Sequence, residues 1–416
     1  ARKLQIMKDN NALLDLYDKI THFMKLNQTA ILPSFHARNK FSNMFNNWFE
    51  IGNDAIDIDF QKKTLDVMKG KNLDELFEIV NPDGSITKIR LGDLYQAAQD
   101  YGVIDSGVFA RDIGVGKPSK GLLSKLGVPG KLDPTNTKDF IGYTYGKNIG
   151  DIVENHDRFI HFASQVRRGM SFKDAAESVN RFLFDYSDLT MFEQSVMKRI
   201  LPYYTWLRKN SQLQLEMLLE KPEKYRNISK IIGGIEGMVD EKDRIDKRFV
   251  NDFAKDWVQT PFYVTNPEGR REPVLWNPNL PFMDIDRIPD PSRPLDTMKD
   301  LFTQTNPLIK VPIELALNRD VFFDSPIAKE GESRLGKGVG HIARQFGVYP
   351  VIKGAVDKQG LDFGLHLLNT TSGIKLLSYD YDKYKAMKIS EMSKKKERSK
   401  TNPGILESIK RRLGGY

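Results

Sequence analysis

RFLFDYSDLTMFEQSVMKRILPYYTWLRKN, Arg181–Asn210, carries seven aromatic residues and five Lys or Arg around a single proline. Its reading decides the fold class. Phe192, Val196, Ile200, Tyr203 and Leu207 recur three or four apart, which predicts an apolar helix face continued by Trp206 and Leu213 and, more broadly, by Leu215, Met217 and Leu218. Lys198, Arg199, Arg208 and Lys209 fall to its flanks. An amphipathic helix packing within or between subunits is the leading expectation. Single-stranded nucleic acid stacking on Tyr203, Tyr204 or Trp206, or an interfacial helix at a membrane surface, are the alternatives. Thr190 with Glu193 reads as an N-terminal capping box, and Pro202 either kinks the helix or opens a new one at its first turn.

Outward from this stretch the pattern stays helical. Leu13, Leu14, Tyr17, Ile20, Phe23 and Met24 predict one apolar face, which Pro33 ends. Ser34 is the expected N-cap of the next helix, and Phe35, Phe41, Phe45, Trp48 and Phe49 form its aromatic stripe. The segment TKDFIGYTYGKNIGDIVENHDRFIHFASQVRRG predicts one long helix or two. Ser171 followed by Asp174 is an acidic variant of the capping box. Asn81-Pro82-Asp83-Gly84 between two apolar runs predicts a hairpin, and TPFYVTNPEGRREPVLWNP a second. Prolines recur too often in NPNLPFMDIDRIPDPSRP for regular helix.

The expected fold class is mainly α: an elongated multi-helix assembly with two small β-hairpins and a proline-rich extended segment. Six regions follow: N-terminal helices (1–70), a hairpin and Gly/Lys-rich loop region (71–136), a central helical region (137–240), an extended Pro-rich segment with a hairpin (241–330), short C-terminal helices (331–392) and a basic tail (393–416).

Composition narrows function. Of 416 residues, 40% are hydrophobic and 28% charged, the net charge is +8 and there is no cysteine. Disulfides and thiolate metal sites are excluded. A charge of this size on this length does not by itself establish nucleic-acid binding. No run of apolar residues is long enough to predict a transmembrane helix or a signal peptide. The start at Ala1 reads as loss of an initiator Met or as a processed piece of a longer protein.

Catalytic patterns are weak. In GVGKPSKG, Pro118 follows Gly116-Lys117 and Arg111 stands where a phosphate loop needs its first glycine. His156 and His161 are five apart, where a helical metal pair needs four, so solvated or helix-packing histidines are expected among His22, His36, His156, His161, His341 and His366. The acidic pairs in DIDFQ and at 284–286 are the number that chance places among 55 acidic residues. No enzyme activity, cofactor or metal is expected. Eleven Lys or Arg fall between Lys383 and Arg412. Lys394, Lys395, Lys396, Arg398, Lys400, Arg411 and Arg412 form a tail that is either solubilising or able to hold phosphates of packaged DNA.

Three segments in order, LPSFHARNKFSNMFNNWFE, RFLFDYSDLTMFEQSVMKRILPYYTWLRKNSQLQLEMLLEKPEKY and NPLIKVPIELALNRDVFFDSPI, resemble a region of large bacteriophage virion proteins and of the polyvalent proteins of mobile elements. The resemblance spans about residues 30–330, and FDYSDLT, PYYTW and the Asn-Arg-Asp-x-Phe element are its most specific pieces. It implies a non-enzymatic internal or ejection protein assisting genome delivery, made in the host cytoplasm and carried in the virion inside the capsid or near the portal or tail. The partners implied are copies of itself, other virion proteins such as the portal, packaged DNA through the basic tail and, transiently, host membrane. A static portal- or capsid-bound connector is the alternative, and a host-delivered enzyme or anti-restriction effector a second. The contact residues expected are Tyr203, Tyr204, Trp206, Arg208, Lys209, Phe45 and Trp48.

Overall fold

Helix α1 (Ala12–Thr29) ends ahead of Pro33, and α2 (Pro33–Ile51) begins on that proline, whose missing N–H would have no partner in a first turn. The N-cap is therefore Leu32 rather than Ser34, and no side chain caps the end. Asp57 caps α3 (Ile58–Met68) by accepting from the Asp59 and Phe60 amides, which gives the first carboxylate of DIDFQ a structural role. Strands β1 (Leu76–Val80) and β2 (Ile86–Arg90) form the predicted antiparallel hairpin, with Gly84 at positive φ in its turn. Next come α4 (Leu91–Asp100), the long α5 (Ile141–Arg167), a single helix of about 40 Å, and α6 (Phe172–Phe182), capped by Ser171 accepting from the Asp174 amide. After α7 (Tyr204–Glu220) and α8 (Pro222–Gly237), strands β3 (Val258–Thr265) and β4 (Arg271–Asn277) form the second predicted hairpin. The rest includes α9 (Pro294–Gln304), α10 (Pro307–Leu317), a two-residue antiparallel pairing of Arg319–Asp320 with Ser325–Pro326, α11 (Arg334–Ala343), α12 (Val348–Asp357), α13 (Gly360–Ser372), β5 (Lys375–Ser378) and α14 (Tyr381–Thr401). The architecture is mainly α with small antiparallel sheets, as the sequence predicts.

This structure is a computed structural model. It describes residues 12–104, 121, 123–186, 188–266, 268–283, 294–323, 325–345, 348–357 and 360–401. The phosphate-loop candidate and the acidic pair at 284–286 lie outside them.

The chain divides into two units. The larger comprises residues 1–226, 279–358 and 366–374. Its main core gathers Ile51, Phe60, Leu91, Leu94, Phe159 and Phe162 from α2 to α5. Burying each such side chain contributes about 1.5–3 kcal/mol. Gly146 of α5 lets that helix pass against the end of α1, because a Cβ there would lie 1.8 Å from the Ala30 carbonyl oxygen. The smaller unit comprises residues 227–278, 359–365 and 375–416. Its sheet has the order β3-β4-β5, so the second hairpin gains a third strand from about a hundred residues downstream. Val250, Ala254, Leu275 and Tyr379 form its core.

Candidate functional site

Within Arg181–Asn210 the helix predicted from Thr190 forms in two pieces. Thr190 and Glu193 make the reciprocal box: the Thr190 amide donates to Glu193 Oε2 at 2.8 Å and the Glu193 amide to Thr190 Oγ1 at 3.2 Å. The first piece is π-helical over Glu193–Met197 and ends at Ile200, because Leu201 turns extended ahead of Pro202. Its freed carbonyls are taken by other elements: Asn306 donates from its amide N–H to Ile200 O at 2.7 Å, and Tyr17 Oη to Arg199 O at 2.8 Å. The break also corrects the predicted core face. Phe192, Val196, Ile200 and Tyr203 are exposed, and the buried residues of α7 include Leu213 and Met217, with Leu215 and Leu218 outward.

The predicted contact residues find partners inside the chain. Phe45 and Trp48 pack on an aromatic cluster of Phe49, Phe182, Phe184, Leu213, Met217 and Tyr225. Phe45 and Phe49 meet edge-on at 5.2 Å, and Phe184 and Trp206 at 5.5 Å. The Lys224 ammonium sits 4.4 Å over the Trp48 ring. The α2 stripe thus meets α7 and α8 instead of projecting outward, although Phe41 is exposed. Arg208 pairs with Glu193 at 2.9 Å and Lys209 with Asp188 at 3.0 Å. The Thr190 amide, then the Tyr204 hydroxyl, hold the Glu193 carboxyl down at about 2. Lys394, Lys395, Lys396, Arg398 and Lys400 lie along α14, a helix where the sequence suggests only a tail, and Arg411 and Arg412 fall outside the described residues.

Tyr203, Tyr204 and Trp206 line one cavity of about 290 Å³, together with Gln304, Lys310 and Gln345. Tyr203 Oη donates to Gln28 Oε1 at 2.7 Å, and Gln28 Nε2 to Gln345 O at 2.9 Å. Lys310 Nζ donates to Thr303 O at 3.4 Å. Aromatic faces, an amine and amides suit a small planar group or a side chain.

A second constellation lies where α2 meets α5, and sequence periodicity overlooks it. Its signal is FSNMFNNWFE, where Asn43, Asn46 and Asn47 interrupt the aromatic stripe and all are buried. Asn43 donates to Glu154 Oε2 at 2.8 Å, Arg158 donates to Glu154 Oε1 at 2.9 Å, and Asn47 donates to the Asp157 carbonyl at 3.0 Å. Lys40 pairs closely with Asp157 Oδ1, whose other oxygen has no hydrogen-bond partner. Both histidines touch α2, His156 through Lys40 Nζ at 3.3 Å and His161 through Asn47, and each reaches one further helix. His156 Nε2 lies 3.1 Å from Thr64 Oγ1 of α3. His161 Nδ1 meets Asn47 Oδ1 and its Nε2 meets Ser178 Oγ of α6, each at 2.8 Å. Burial pushes His156 down to about 4, with the Lys40 charge adding to it, and His161 to about 3. Burial drives Asp157 the other way, against Lys40.

Thr64, His156 and Asp157 are all buried. The seam is a buried polar network that sets the register of α2 on α5, satisfied except at Asp157 Oδ2 and Asn46 Nδ2. Among the described residues, no three or more His, Asp or Glu are placed to hold a metal ion. The fold and these sites define a mainly helical protein whose polar clusters lock helices together. No family model matches the chain, and no curated protein or solved structure matches it either.

Proposed function

We propose that this chain is a structural, non-enzymatic component of a bacteriophage virion, an internal or ejection protein that assists genome delivery and works as a homo-oligomer near the portal. The observation that carries the reading is the outward face of α5. Its exposed positions from 141 to 152 are Ile141, Thr144, Tyr145, Asn148, Ile149 and Ile152. None of these six is charged, in a chain whose residues are 28% charged, and half-buried Lys147 and Asp151 flank them. The spacing is that of a helix–helix seam, and a mid-seam Asn pairs with its own copy across a symmetric contact. Such a face costs free energy while it stays in water, which favours a chain built to assemble. The three segments resembling phage virion proteins supply the setting.

Quantitative mass spectrometry of intact particles, compared with particles triggered to release DNA, tests the reading. The chain is expected in full particles and depleted from emptied ones. Retention in both would make it a static connector, and absence from both refutes a place in the virion.

A further inference from the structure

The cavity beside Pro202 joins parts of the chain that are far apart in sequence. Leu201 turns extended ahead of Pro202, so Tyr203, Tyr204 and Trp206 enter the start of α7 together. Asn306 fixes the start of α10 against that break. Its backbone N–H reaches Ile200 O, and its Nδ2 reaches Arg199 O at 3.1 Å. Pro307 and Lys310 of α10 line the same cavity as the three rings.

The rings are fixed by partners within the chain. Tyr203 is tied through its hydroxyl to Gln28, and Tyr204 through its hydroxyl to Glu193 Oε1 at 2.8 Å. Trp206 stands edge-on against Phe184. Both phenol hydroxyls are taken, so the tyrosines offer the cavity their ring surface. Rings already fixed lose little freedom when a flat partner stacks on them. The volume of about 290 Å³ stands at the lower end of the range for small-molecule sites, about 300–1,000 Å³. It has room for one ring system and its substituent, not for a length of chain.

The polar lining decides which kind of ring. Gln304 Nε2 donates to Asp300 O at 3.2 Å and Gln345 Nε2 to His341 O at 3.3 Å, while both side-chain oxygens accept nothing from the described residues. A hydrocarbon ring would cover these amides without matching them, at a cost in free energy. A heterocycle with donors and acceptors along its edge matches them. Charge then selects what the ring carries. Among the described residues that line the cavity none is acidic, and Lys310 is the one cation. Lys310 makes no ion pair to described residues and reaches only Thr303 O, at 3.4 Å. Lys25 Nζ lies 5.4 Å from the centre of the Tyr203 ring and adds positive charge. Glu193, behind Tyr204, is offset by Arg208. An ammonium without a carboxylate partner is a point charge for a phosphate.

We propose that this cavity binds one nucleotide, with its base against Tyr203, Tyr204 and Trp206, the base edge on Gln304 and Gln345, and the phosphate on Lys310. The same chemistry is presented by a free mononucleotide and by an unpaired nucleotide of a single strand. The site stands apart from the virion reading and does not need it.

Isothermal titration calorimetry of the full chain with dAMP, with deoxyadenosine and with a short oligothymidylate tests it. dAMP is expected to bind, and more tightly than deoxyadenosine. Tyr203→Ala is expected to weaken both about tenfold or more. Lys310→Gln is expected to weaken dAMP alone, to the level of deoxyadenosine. Lys62→Gln, at an exposed lysine of α3, is expected to change neither, which separates the cavity from general attraction to cations. Both cavity variants alter side chains that are not buried, and their circular dichroism melts should match that of the unaltered chain. Oligothymidylate binding that falls in Tyr203→Ala makes single strands the source, and binding of dAMP without the oligonucleotide makes it the free nucleotide. No binding of either, or dAMP binding that either cavity variant leaves unchanged, overturns the proposal. So does oligonucleotide binding alone that survives both variants, which would belong to the basic helix α14.

Discussion

Acid should loosen the larger unit, and the α2–α5 seam sets the size of the effect. His156 and His161 are held neutral by burial, at about 4 and about 3 against an ordinary value of 6.5. A group depressed on folding contributes stability above its unfolded pKa and loses it as pH falls. Each such histidine costs about 1.4 kcal/mol per pH unit below 6.5. From pH 7 to pH 5 the two together remove about 4 kcal/mol. His36, also lowered by burial, adds in the same direction. Asp157 acts oppositely: burial raises it from 3.8 to about 7, so the folded chain takes up a proton that the unfolded chain releases. That returns about 2 kcal/mol over the same interval, leaving a net loss of about 2 kcal/mol. Scanning calorimetry at pH 7 and pH 5 measures it. Asp157→Asn removes the return, so its loss between the two pH values should grow to about 4 kcal/mol. A chain more stable at pH 5 than at pH 7, or a His161 imidazole titrating near 6.5 by NMR, would refute the account.

Three substitutions probe the packing, each read by urea denaturation. Gly146→Ala drives a Cβ into the Ala30 carbonyl and should cost about 3 kcal/mol or more. Phe49→Ala empties the centre of the aromatic cluster, where Phe49 is fully buried, and should cost about 3–5 kcal/mol. Thr190→Ala removes one half of the reciprocal cap and should cost about 1 kcal/mol. A cost below about 0.5 kcal/mol at Phe49 would mean that the α2 stripe does not pack as described.

What the sequence reveals here is local, and what it hides depends on distant partners. Asn81–Gly84, Pro33, Ser171–Asp174 and Thr190–Glu193 act within a few residues, and the turns and helix ends they predict are present. Strand β5 pairs with β4 across about a hundred residues, and no nearby signal announces it. The α2 asparagines look like interruptions of an aromatic stripe until Glu154, Asp157 and His161 of α5 stand opposite them. Periodicity has a further limit, because it shows that a helix has an apolar face without showing which way the face turns. Phe192, Val196 and Ile200 have core spacing and are exposed, since the break at Leu201 ends their helix before α7 begins. On α10 the same spacing marks the outside, because Glu314 is drawn inward by His341, twenty-seven residues away. A buried hydrogen-bonded pair that keeps an apolar face in water does so at a cost in free energy. Which face turns inward is thus fixed by Glu314 and His341 together, a pairing that neither hydrophobic spacing nor composition announces.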